Sequence, residues 1–437
     1  MKKAILNIPY GRRRLKFSLP FHRLLGLLVG RRGKGRRGLR ALLAGSLDRM
    51  PNSRTLRKIA AEAKKILIVV PDVTRSAHLK VILPELIKRI SKRPRVLIDI
   101  IVATGLHKKH TGEQLKNLLG EAIVRRHRVL SHRQAGGHLA KTGFTKDGIP
   151  IVLNKALINY DHVISIGVIE PHLYAGYSGG IKTIAIGLAG EETINATHNI
   201  RFLGDPGTKI GSVKANPFQD TLWEIAKDIK VGFAINVVND ADGKALAVFS
   251  GDLKDVFFKG VKFSRDIFEV ITQRAADIVI CGIGYPKDIN LYQASRAVNY
   301  ILNVDHPVLK KGGVLIIIAG LHEGIGKGLS EKRFYNEMRK MGSPAVFLKT
   351  ISRTGFLAGA HRAYMVAGPM SDYNIVFVVK DGERIMKGLP FPYFKNIPGA
   401  LKYAEAITGK DSKVYVIPRA LATIARTGES PAHKICP

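Results

Sequence analysis

Short runs of apolar, largely β-branched residues recur along the chain, and stretches with helical spacing separate them. Most of these runs are apolar without alternation, which is typical of strands that are covered on both faces. The predicted strands are residues 66–70, 96–103, 163–169, 233–238, 277–283, 314–319, 375–379 and 414–417. The predicted helices between them include residues 79–91, 113–126, 218–228 and 331–341. Strands that alternate with helices predict an α/β fold with mostly parallel sheets.

The same alternation divides the chain into two α/β domains. Residues 1–265 form the predicted N-terminal domain, and residues 275–412 form the predicted C-terminal domain. Residues 413–437 form a C-terminal tail, for which packing back on the N-terminal domain is one possibility. With 437 residues, the chain is long enough for each domain to have its own core.

Unusual polar residues follow the carboxyl ends of five predicted strands. They occur in the segments PDVTR, TGLHKKH, EPH, GYPKDINLYQ and GLHEG. Open α/β sheets bind ligands at this edge. Because the five loops come from both predicted domains, the sequence predicts an active site in the cleft between them.

The composition is that of an ordinary globular protein, with 46% hydrophobic and 24% charged residues. No apolar run reaches the roughly 18 residues of a membrane span, so no membrane association is expected. Two cysteines, Cys281 and Cys436, cannot build a disulfide framework, which fits a reducing, cytoplasmic location.

The net charge of +36 is extreme, and residues 1–65 contribute 19 Lys or Arg against only Asp48 and Glu62. Such a charge favours a nucleic acid or another anionic surface, or else it is the solvated basic face of a protein with an anionic substrate. The most basic segment, RRGKGRRGLR at residues 31–40, lacks the aromatic residues that stack on single strands. Specific nucleic-acid binding is therefore not expected, but a non-catalytic nucleic-acid-binding protein remains an alternative.

A glycine-rich turn, GYSGGIKT at residues 176–183, nearly matches a phosphate-binding P-loop. That motif requires glycine immediately before the lysine, where this chain has Ile181. Backbone amides can still hold a phosphate, so a nucleotide-phosphate hydrolase with a degenerate P-loop is a second alternative. Lys182 can instead form a covalent link if partial desolvation lowers its pKa, or it can be a surface lysine beside a turn.

Histidines and arginines supply the other candidate groups. His107 and His172 follow two different strands, and such a pair suits acid/base catalysis across a bound molecule. His198 can be a metal ligand, although the spacings match no zinc signature. Arg75 and Arg296 can hold a carboxylate through the guanidinium fork, or they can be surface residues. Three further histidines are expected to be structural or exposed, namely His78, His110 and His132.

Several motifs occur in a recognisable order between IPYGRRRLKFSLP near the start and VYVIPRA near the end. They are DVTR, ATGLHKKHT, EPHLYAGYSGGIK, GEETINATHN, GYPKDINLYQASR and LAGAHRAY. In this combination the chain resembles the lactate racemase family that uses a nickel-pincer nucleotide. The resemblance covers essentially the whole chain, and its most specific part is the segment from EPH to GGIK.

The resemblance implies an isomerase, a racemase or epimerase of a small anionic 2-hydroxy acid. It implies that Lys182 covalently carries a pyridinium thioamide/thiocarboxylate mononucleotide, whose carbon and sulfur atoms hold nickel together with His198. It also implies cofactor-synthesis enzymes as partners. A hydride would leave the substrate for the cofactor and return, while His107 and His172 act as acid and base. The implied cofactor-binding residues are Asp72, Thr74, Gly179 and Gly180, and the implied substrate-binding residues are Arg75, Tyr285, Gln293 and Arg296.

The chain departs from the family pattern at three places. Ser76-Ala77-His78 stands where the family commonly has proline after TR, and Lys108-Lys109 stands where it commonly has Arg-Pro. Arg296 replaces the lysine of lactate racemases, which keeps the positive charge but changes its reach and hydrogen-bond geometry. Epimerisation or dehydration of a larger hydroxy acid or sugar acid therefore stays open.

Overall fold

A computed structural model of the chain describes residues 2–31, 37–91, 96–107, 109–132, 137–356 and 359–428. Cys436, Lys108 and the middle of the basic segment, residues 32–36, lie outside this part of the chain. Within it, the predicted α/β architecture with mostly parallel sheets is confirmed. No helix in the described ranges is long and apolar enough to span a membrane.

The strands are, in chain order, β1 Lys3–Tyr10, β2 Arg13–Pro20, β3 Leu24–Leu27, β4 Lys65–Pro71, β5 Leu97–Ala103, β6 Val129–Ser131, β7 Leu139–Phe144, β8 Pro150–Asn154, β9 His162–Val168, β10 Pro171–His172, β11 Gly176–Tyr177, β12 Val231–Asn239, β13 Ala245–Gly251, β14 Glu269–Thr272, β15 Ala276–Gly282, β16 Leu309–Ile318, β17 Asn374–Val378, β18 Tyr393–Phe394, β19 Val414–Ile417 and β20 Ile424–Thr427. The helices are α1 Leu39–Leu47, α2 Met50–Glu62, α3 Leu79–Ile90, α4 Gly112–Leu119, α5 Glu121–Arg126, α6 Lys182–Ala185, α7 Glu191–Thr197, α8 Ile200–Leu203, α9 Pro217–Ile225, α10 Leu253–Phe268, α11 Leu291–Ala294, α12 Arg296–Leu302, α13 Leu329–Lys340, α14 Pro344–Thr354, α15 His361–Met370, α16 Glu383–Met386 and α17 Ile397–Thr408.

Each predicted strand corresponds to an observed one, namely β4, β5, β9, β12, β15, β16, β17 and β19. The helix predicted at residues 113–126 is two helices, α4 and α5, because Gly120 between them has φ of 96°. Such a positive φ is readily adopted only by glycine and interrupts helical geometry. Before α4, the Thr111 hydroxyl accepts from the Gln114 N–H and the Gln114 side chain accepts from the Thr111 N–H, which forms a capping box.

The described chain divides into two compact units that are not continuous in sequence. Unit A contains Arg32–His198 and Ser212–Ile267, and unit B contains Met1–Arg31, Asn199–Gly211 and Phe268–Pro437. Residues 1–31 do not belong to the same unit as the rest of the predicted N-terminal domain, because β3 pairs in parallel with β19 of unit B. The tail residues 414–417 form β19 itself, which is an inner strand of the unit B sheet.

Unit A contains a six-stranded sheet with the order β13-β12-β9-β4-β5-β6. All neighbouring pairs are parallel except β12 and β13. One face of the sheet packs in a hydrophobic core with α1, α2 and α3. Because β9, β4 and β5 are adjacent and parallel, the loops that carry His172, Asp72 and His107 leave the same edge of this sheet.

Unit B contains a second six-stranded sheet, with the order β18-β17-β16-β15-β19-β3, in which every neighbouring pair is parallel. The hairpin of β1 and β2 contributes Ile8, Phe17 and Leu19 to its core, together with residues of α17. The segments GYPKDINLYQ and GLHEG follow the adjacent strands β15 and β16. They therefore leave the same edge of this sheet. Cys281 is buried in β15, and burial raises the pKa of its thiol.

Candidate active site

Asp72 and His107 form a hydrogen-bonded pair at the carboxyl ends of β4 and β5. The register of these strands pairs Pro71 with Ala103, so the residues that follow them start side by side. The Asp72 Oδ2 atom lies 2.6 Å from Nδ1 of His107, and the Asp72 Oδ1 atom accepts from both the N–H and the hydroxyl of Thr74. Burial alone raises the pKa of Asp72, but the bonds from His107 and Thr74 outweigh it and the pKa is lowered. The ionised Asp72 keeps the proton of His107 on Nδ1 and leaves the lone pair on Nε2.

Arg75 forms an ion pair with Glu170, which the sequence analysis did not identify as a functional residue. Arg75 follows β4 and Glu170 follows β9, and these two strands are neighbours in the unit A sheet. Both side chains are largely buried, with 26% and 31% of their surfaces exposed. The available sequence signal was an acidic residue and a basic residue at two strand ends, but the sequence does not tell which strand ends are adjacent.

Lys182 is half-buried at the start of α6, directly after the glycine turn. Its pKa is lowered to about 7, first because burial disfavours the charged ammonium and second because Arg75 is positively charged; Asp72 partly offsets both. A substantial fraction of this amine is therefore neutral at physiological pH. A neutral amine is nucleophilic and can form a covalent bond to an electrophilic carbonyl group.

The glycines of the turn are required by packing within unit A. Gly179 and Gly180 have φ of 82° and 52°, and a Cβ at position 179 would lie 2.7 Å from Oδ1 of Asn236. A Cβ at position 180 would lie 2.6 Å from the ring of Phe257. The Gly180 N–H donates to Asn236 Oδ1 at 3.2 Å, so this amide is already engaged by the protein. The P-loop alternative needs such amides for phosphate and is therefore not favoured.

We expect Gly180→Ala to destabilise the protein by about 2–4 kcal/mol, because the methyl group adds overpacking to an unfavourable backbone conformation. Denaturant unfolding of the cofactor-free protein measures this loss. Gly148→Ala is the matched control, since Gly148 also has a positive φ, 77°, but a Cβ there meets no atom within 4 Å. The control is expected to lose about 1 kcal/mol. Equal losses in both variants would contradict the packing argument.

His172 is oriented by the backbone of the turn between β10 and β11. Its Nδ1 atom accepts hydrogen bonds from the N–H groups of Tyr174 and Ala175, both at 3.2 Å. With Nδ1 as the acceptor, the proton of the neutral ring is on Nε2. His172 therefore presents a proton on Nε2, whereas His107 presents a lone pair there.

His198 follows α7, and its Nδ1 atom lies 2.9 Å from the carbonyl oxygen of Ile194. This bond places the proton on Nδ1 and the lone pair on Nε2, the arrangement of a metal-ligating imidazole. The pKa of His198 is lowered to about 4 by burial and by the charge of Lys182, against the opposing effect of the Ile194 bond. The imidazole is therefore neutral, as a metal ligand must be.

Tyr174, which the sequence analysis did not single out, lies in ring contact with both His172 and His198. The ring centroids are 5.4 Å and 5.5 Å away, in edge-to-face geometry. Phe218 contacts His198 in the same manner at 5.1 Å. These contacts and the electrostatic effects described above join the predicted unit A residues Asp72, Thr74, Arg75, His107, His172, Lys182 and His198 in one cluster.

The segment Ser76-Ala77-His78, which follows Arg75, is held by Asn239 at the end of β12. The Asn239 side chain donates to the Ser76 carbonyl at 2.7 Å and contacts Nε2 of His78 at 2.9 Å. His78 has φ of 53° and directly precedes α3. These hydrogen bonds fix the conformation of the segment, which contains no proline.

The same loop lines a cleft of about 570 Å³ together with one side of α4. The lining residues are 73–81, Gln114, Asn117 and Leu118.

The histidines expected to be structural are consistent with that role. His110 is buried and accepts from the Val73 N–H at 3.5 Å, a long hydrogen bond behind the DVTR loop. His132 is buried and contacts the Ala189 carbonyl and the Asn154 side chain. Burial lowers the pKa of His132, despite the Ala189 bond.

Three predicted substrate-binding residues, Tyr285, Gln293 and Arg296, belong to unit B. Tyr285 is 39% exposed, and the guanidinium of Arg12 lies 3.8 Å from the centroid of its ring. Gln293 is in α11, and its side-chain oxygen accepts from Nη1 of Arg296 at 3.3 Å. Gln293 and Arg296 therefore contact each other directly.

The donors of unit A fit a metal-bearing cofactor better than a metal bound by protein alone. Among the residues that the structure describes, no three His, Cys, Asp or Glu side chains are grouped to hold a metal ion. His198 offers one neutral imidazole, and Lys182 offers an amine that is partly neutral at pH 7. A cofactor that supplies the remaining metal ligands and accepts a covalent bond from an amine matches this pair of groups.

Comparison with known proteins agrees with the arrangement. Residues 10–211 match the lactate racemase N-terminal domain, and residues 271–425 match the lactate racemase C-terminal domain. The lactate racemase of Thermoanaerobacterium thermosaccharolyticum is 29% identical in an alignment of 432 residues that covers 97% of this chain and 99% of that protein. The lactate racemase of Lactiplantibacillus plantarum is 29% identical in an alignment of 430 residues that covers 96% of this chain and 99% of that protein.

Solved structures give the same result. The lactate racemase apoprotein from T. thermosaccharolyticum superposes with a TM-score of 0.89 at 29% identity, over 97% of this chain and 100% of that one. A Thermotoga maritima protein of known crystal structure shares the fold, with a TM-score of 0.65 at 19% identity over 86% and 97% of the two chains. The two domain matches cover most of the sequence, so the chain belongs to the lactate racemase family and is an isomerase.

Proposed function

We propose that this protein racemises lactate or a related small 2-hydroxy acid with a nickel-pincer nucleotide that is covalently bound to Lys182. The observation that carries the proposal is the lowered pKa of Lys182, about 7, within the cluster that contains Asp72, Arg75 and His198. When bound, the cofactor would supply a hydride acceptor and donor for carbon 2 of the substrate. His198 would be its protein ligand for nickel.

The two catalytic histidines exchange the proton of the substrate hydroxyl. His107 Nε2 carries a lone pair because Asp72 holds the proton on Nδ1, so His107 is the base that removes the proton. His172 Nε2 carries a proton because Nδ1 accepts two backbone N–H groups, so His172 is the acid that returns one. The proton that His107 has gained passes to solvent and His172 takes one up from solvent, so that neither ring ends the turnover with a changed charge. For the opposite enantiomer the two histidines exchange roles. Two groups are required because the enantiomers present their hydroxyl groups in different directions.

Positive side chains hold the carboxylate while the group at carbon 2 turns. Arg75 is oriented by Glu170, and its charge also helps to lower the pKa of Lys182. Tyr285, Gln293 and Arg296 are proposed as the substrate-binding residues of unit B. We propose that Asp72, Thr74, Gly179 and Gly180 surround the cofactor, with Asp72 also bonded to His107.

The test is production of the protein together with enzymes that synthesise the cofactor. We expect the intact mass to increase, the increment to lie on the peptide that contains Lys182, and nickel to be bound in a 1:1 ratio. Chiral chromatography is expected to show conversion of L-lactate, or of a homologous 2-hydroxy acid, to an equal mixture of enantiomers. Magnesium-dependent nucleotide hydrolysis by the unmodified protein would favour the P-loop alternative instead. A bare Lys182 peptide together with no racemisation would refute the proposal.

A further inference from the structure

Arg296 is held by two neutral side chains on its own face of the helical segment that contains α11 and α12. Its Nη2 atom donates to the hydroxyl of Tyr300 at 3.0 Å, and its Nη1 atom donates to the side-chain oxygen of Gln293 at 3.3 Å. Residues 293, 296 and 300 are spaced by three and four positions, which brings them together along one helical face. The guanidinium also lies 5.4 Å from the ring centroid of Tyr300.

No carboxylate of the described residues forms an ion pair with Arg296, although the side chain is half-buried. Arg75 differs in this respect, because its charge is already matched by Glu170. A partly desolvated guanidinium without a counterion favours an incoming anion. Arg296 therefore has the character of the main receptor for a carboxylate, whereas Arg75, whose charge is offset by Glu170, provides the additional contact proposed above.

The number of donors shows what the fork can still bind. Arginine has five N–H groups, and Tyr300 and Gln293 accept one each. The remaining three are enough for the two parallel hydrogen bonds of a carboxylate. A lysine bound to the same two neighbours would have one of its three N–H groups left, which gives only a single-point contact. Arginine at position 296 can therefore donate two hydrogen bonds to the carboxylate, where lysine could donate one.

We propose that Tyr300 and Gln293 are positioning residues that fix the Arg296 fork as a two-point receptor for the substrate's carboxylate. This inference rests on the proposed function. Tyr300 is 2% exposed, so its hydroxyl is held in place by the surrounding core. A guanidinium held in one orientation fixes the plane of the bound carboxylate. The carbonyl group at carbon 2 can then turn only about the bond that joins carbon 2 to the carboxylate carbon. Gln293 then acts through Arg296 in addition to its own proposed contact with the substrate.

Kinetics of Tyr300→Phe and Arg296→Lys, alone and combined, test the coupling in the holoenzyme with L-lactate. Loss of the hydroxyl removes a hydrogen bond to a charged group, and we expect Tyr300→Phe to raise KM about 5- to 20-fold with kcat within about twofold. In the Arg296→Lys background the same change should raise KM by less than about twofold, because the fork is absent. Tyr403→Phe, which removes a tyrosine hydroxyl in α17, is the matched control and should leave KM unchanged.

A chemical readout separates this inference from the proposed function. Phenylglyoxal modifies arginine, and peptide mass spectrometry after treatment reports the fraction of Arg296 that has reacted. We expect L-lactate to protect Arg296 in the cofactor-free wild type and to protect it at least about fivefold less well in Tyr300→Phe. Protection without racemisation would refute the proposed function and keep this inference. An unchanged KM, or equal effects of Tyr300→Phe in both backgrounds, would overturn the inference.

Discussion

Lys182→Met is expected to abolish racemisation, with a fall in kcat of about 10⁴-fold or more, the size of effect seen when a covalent residue is removed. The amine has a pKa of about 7 and is partly neutral at the working pH, and methionine has no atom that can replace it. Lys182→Arg is expected to be equally inactive because a guanidinium stays protonated and non-nucleophilic. Initial rates by chiral chromatography and intact mass measure activity and attachment on the same samples.

The matched control is Lys227→Met, which removes an exposed lysine of unit A just after α9. It should keep both the mass increment and the rate. A Lys182→Met protein that still carried the cofactor at a 1:1 ratio would contradict the covalent role. If it were loaded non-covalently and turned over at more than about one-tenth of the wild-type rate, the anchor would be unnecessary for catalysis.

Stability measurements show whether Lys182→Met remains folded. The pKa of Lys182 is about 7 in the folded protein and has the ordinary lysine value of 10.5 in the unfolded chain, so between these two pH values the unfolded chain binds more protons. The wild type therefore gains stability as the pH rises through this window and carries the full burial penalty below pH 7. We expect Lys182→Met to be more stable than the wild type at pH 6, with a difference that shrinks towards pH 10.5.

The placement of the candidate residues at strand ends could be predicted from the sequence because strand ends are local features. Pro71 and Ala103 end β4 and β5, and the polar residues Asp72 and Thr104 follow them directly. The pairing of Asp72 with His107 could not be predicted in the same way, because it depends on the register of β4 against β5. The prediction of Asp72 as a cofactor contact thus stands as a prediction, and the structure adds a contact of its side chain with His107 at 2.6 Å.

The parts that sequence reasoning missed all depend on contacts between distant positions. Glu170 contacts Arg75 because β9 lies beside β4, and strand order is not written in a local pattern. Gly180 is required by Phe257, which is far away in the chain but adjacent in the core. β3 belongs to unit B because it pairs with β19 near the other end of the sequence. In each case the sequence shows the type of residue at a position, but it does not show which distant residue or strand contacts that position.

Asp72→Asn is expected to lower kcat by about 10³- to 10⁴-fold, with a much smaller change in KM. The range follows the effect of the same change in a serine protease triad, where the histidine adopts the wrong tautomer. The lowered pKa of Asp72 keeps this group ionised, and only an ionised carboxylate both fixes the proton on His107 Nδ1 and stabilises the imidazolium that forms. An amide can turn its NH₂ group towards Nδ1, which moves the proton to Nε2 and removes the base.

Racemisation offers an internal check on this measurement, because its equilibrium constant is 1 and kcat/KM must fall equally for both enantiomers. Unequal losses would show a second reaction or inactivation of the protein during the assay.

Asp99→Asn is the matched control, since Asp99 is a buried carboxylate of β5 that accepts a hydrogen bond from the Tyr160 hydroxyl at 2.5 Å. It removes a buried charge from the same sheet without contacting His107, so stability should fall while kcat stays within about twofold. A loss below about tenfold in Asp72→Asn would mean that His107 does not depend on the carboxylate, and the base would then have to be sought elsewhere in unit A.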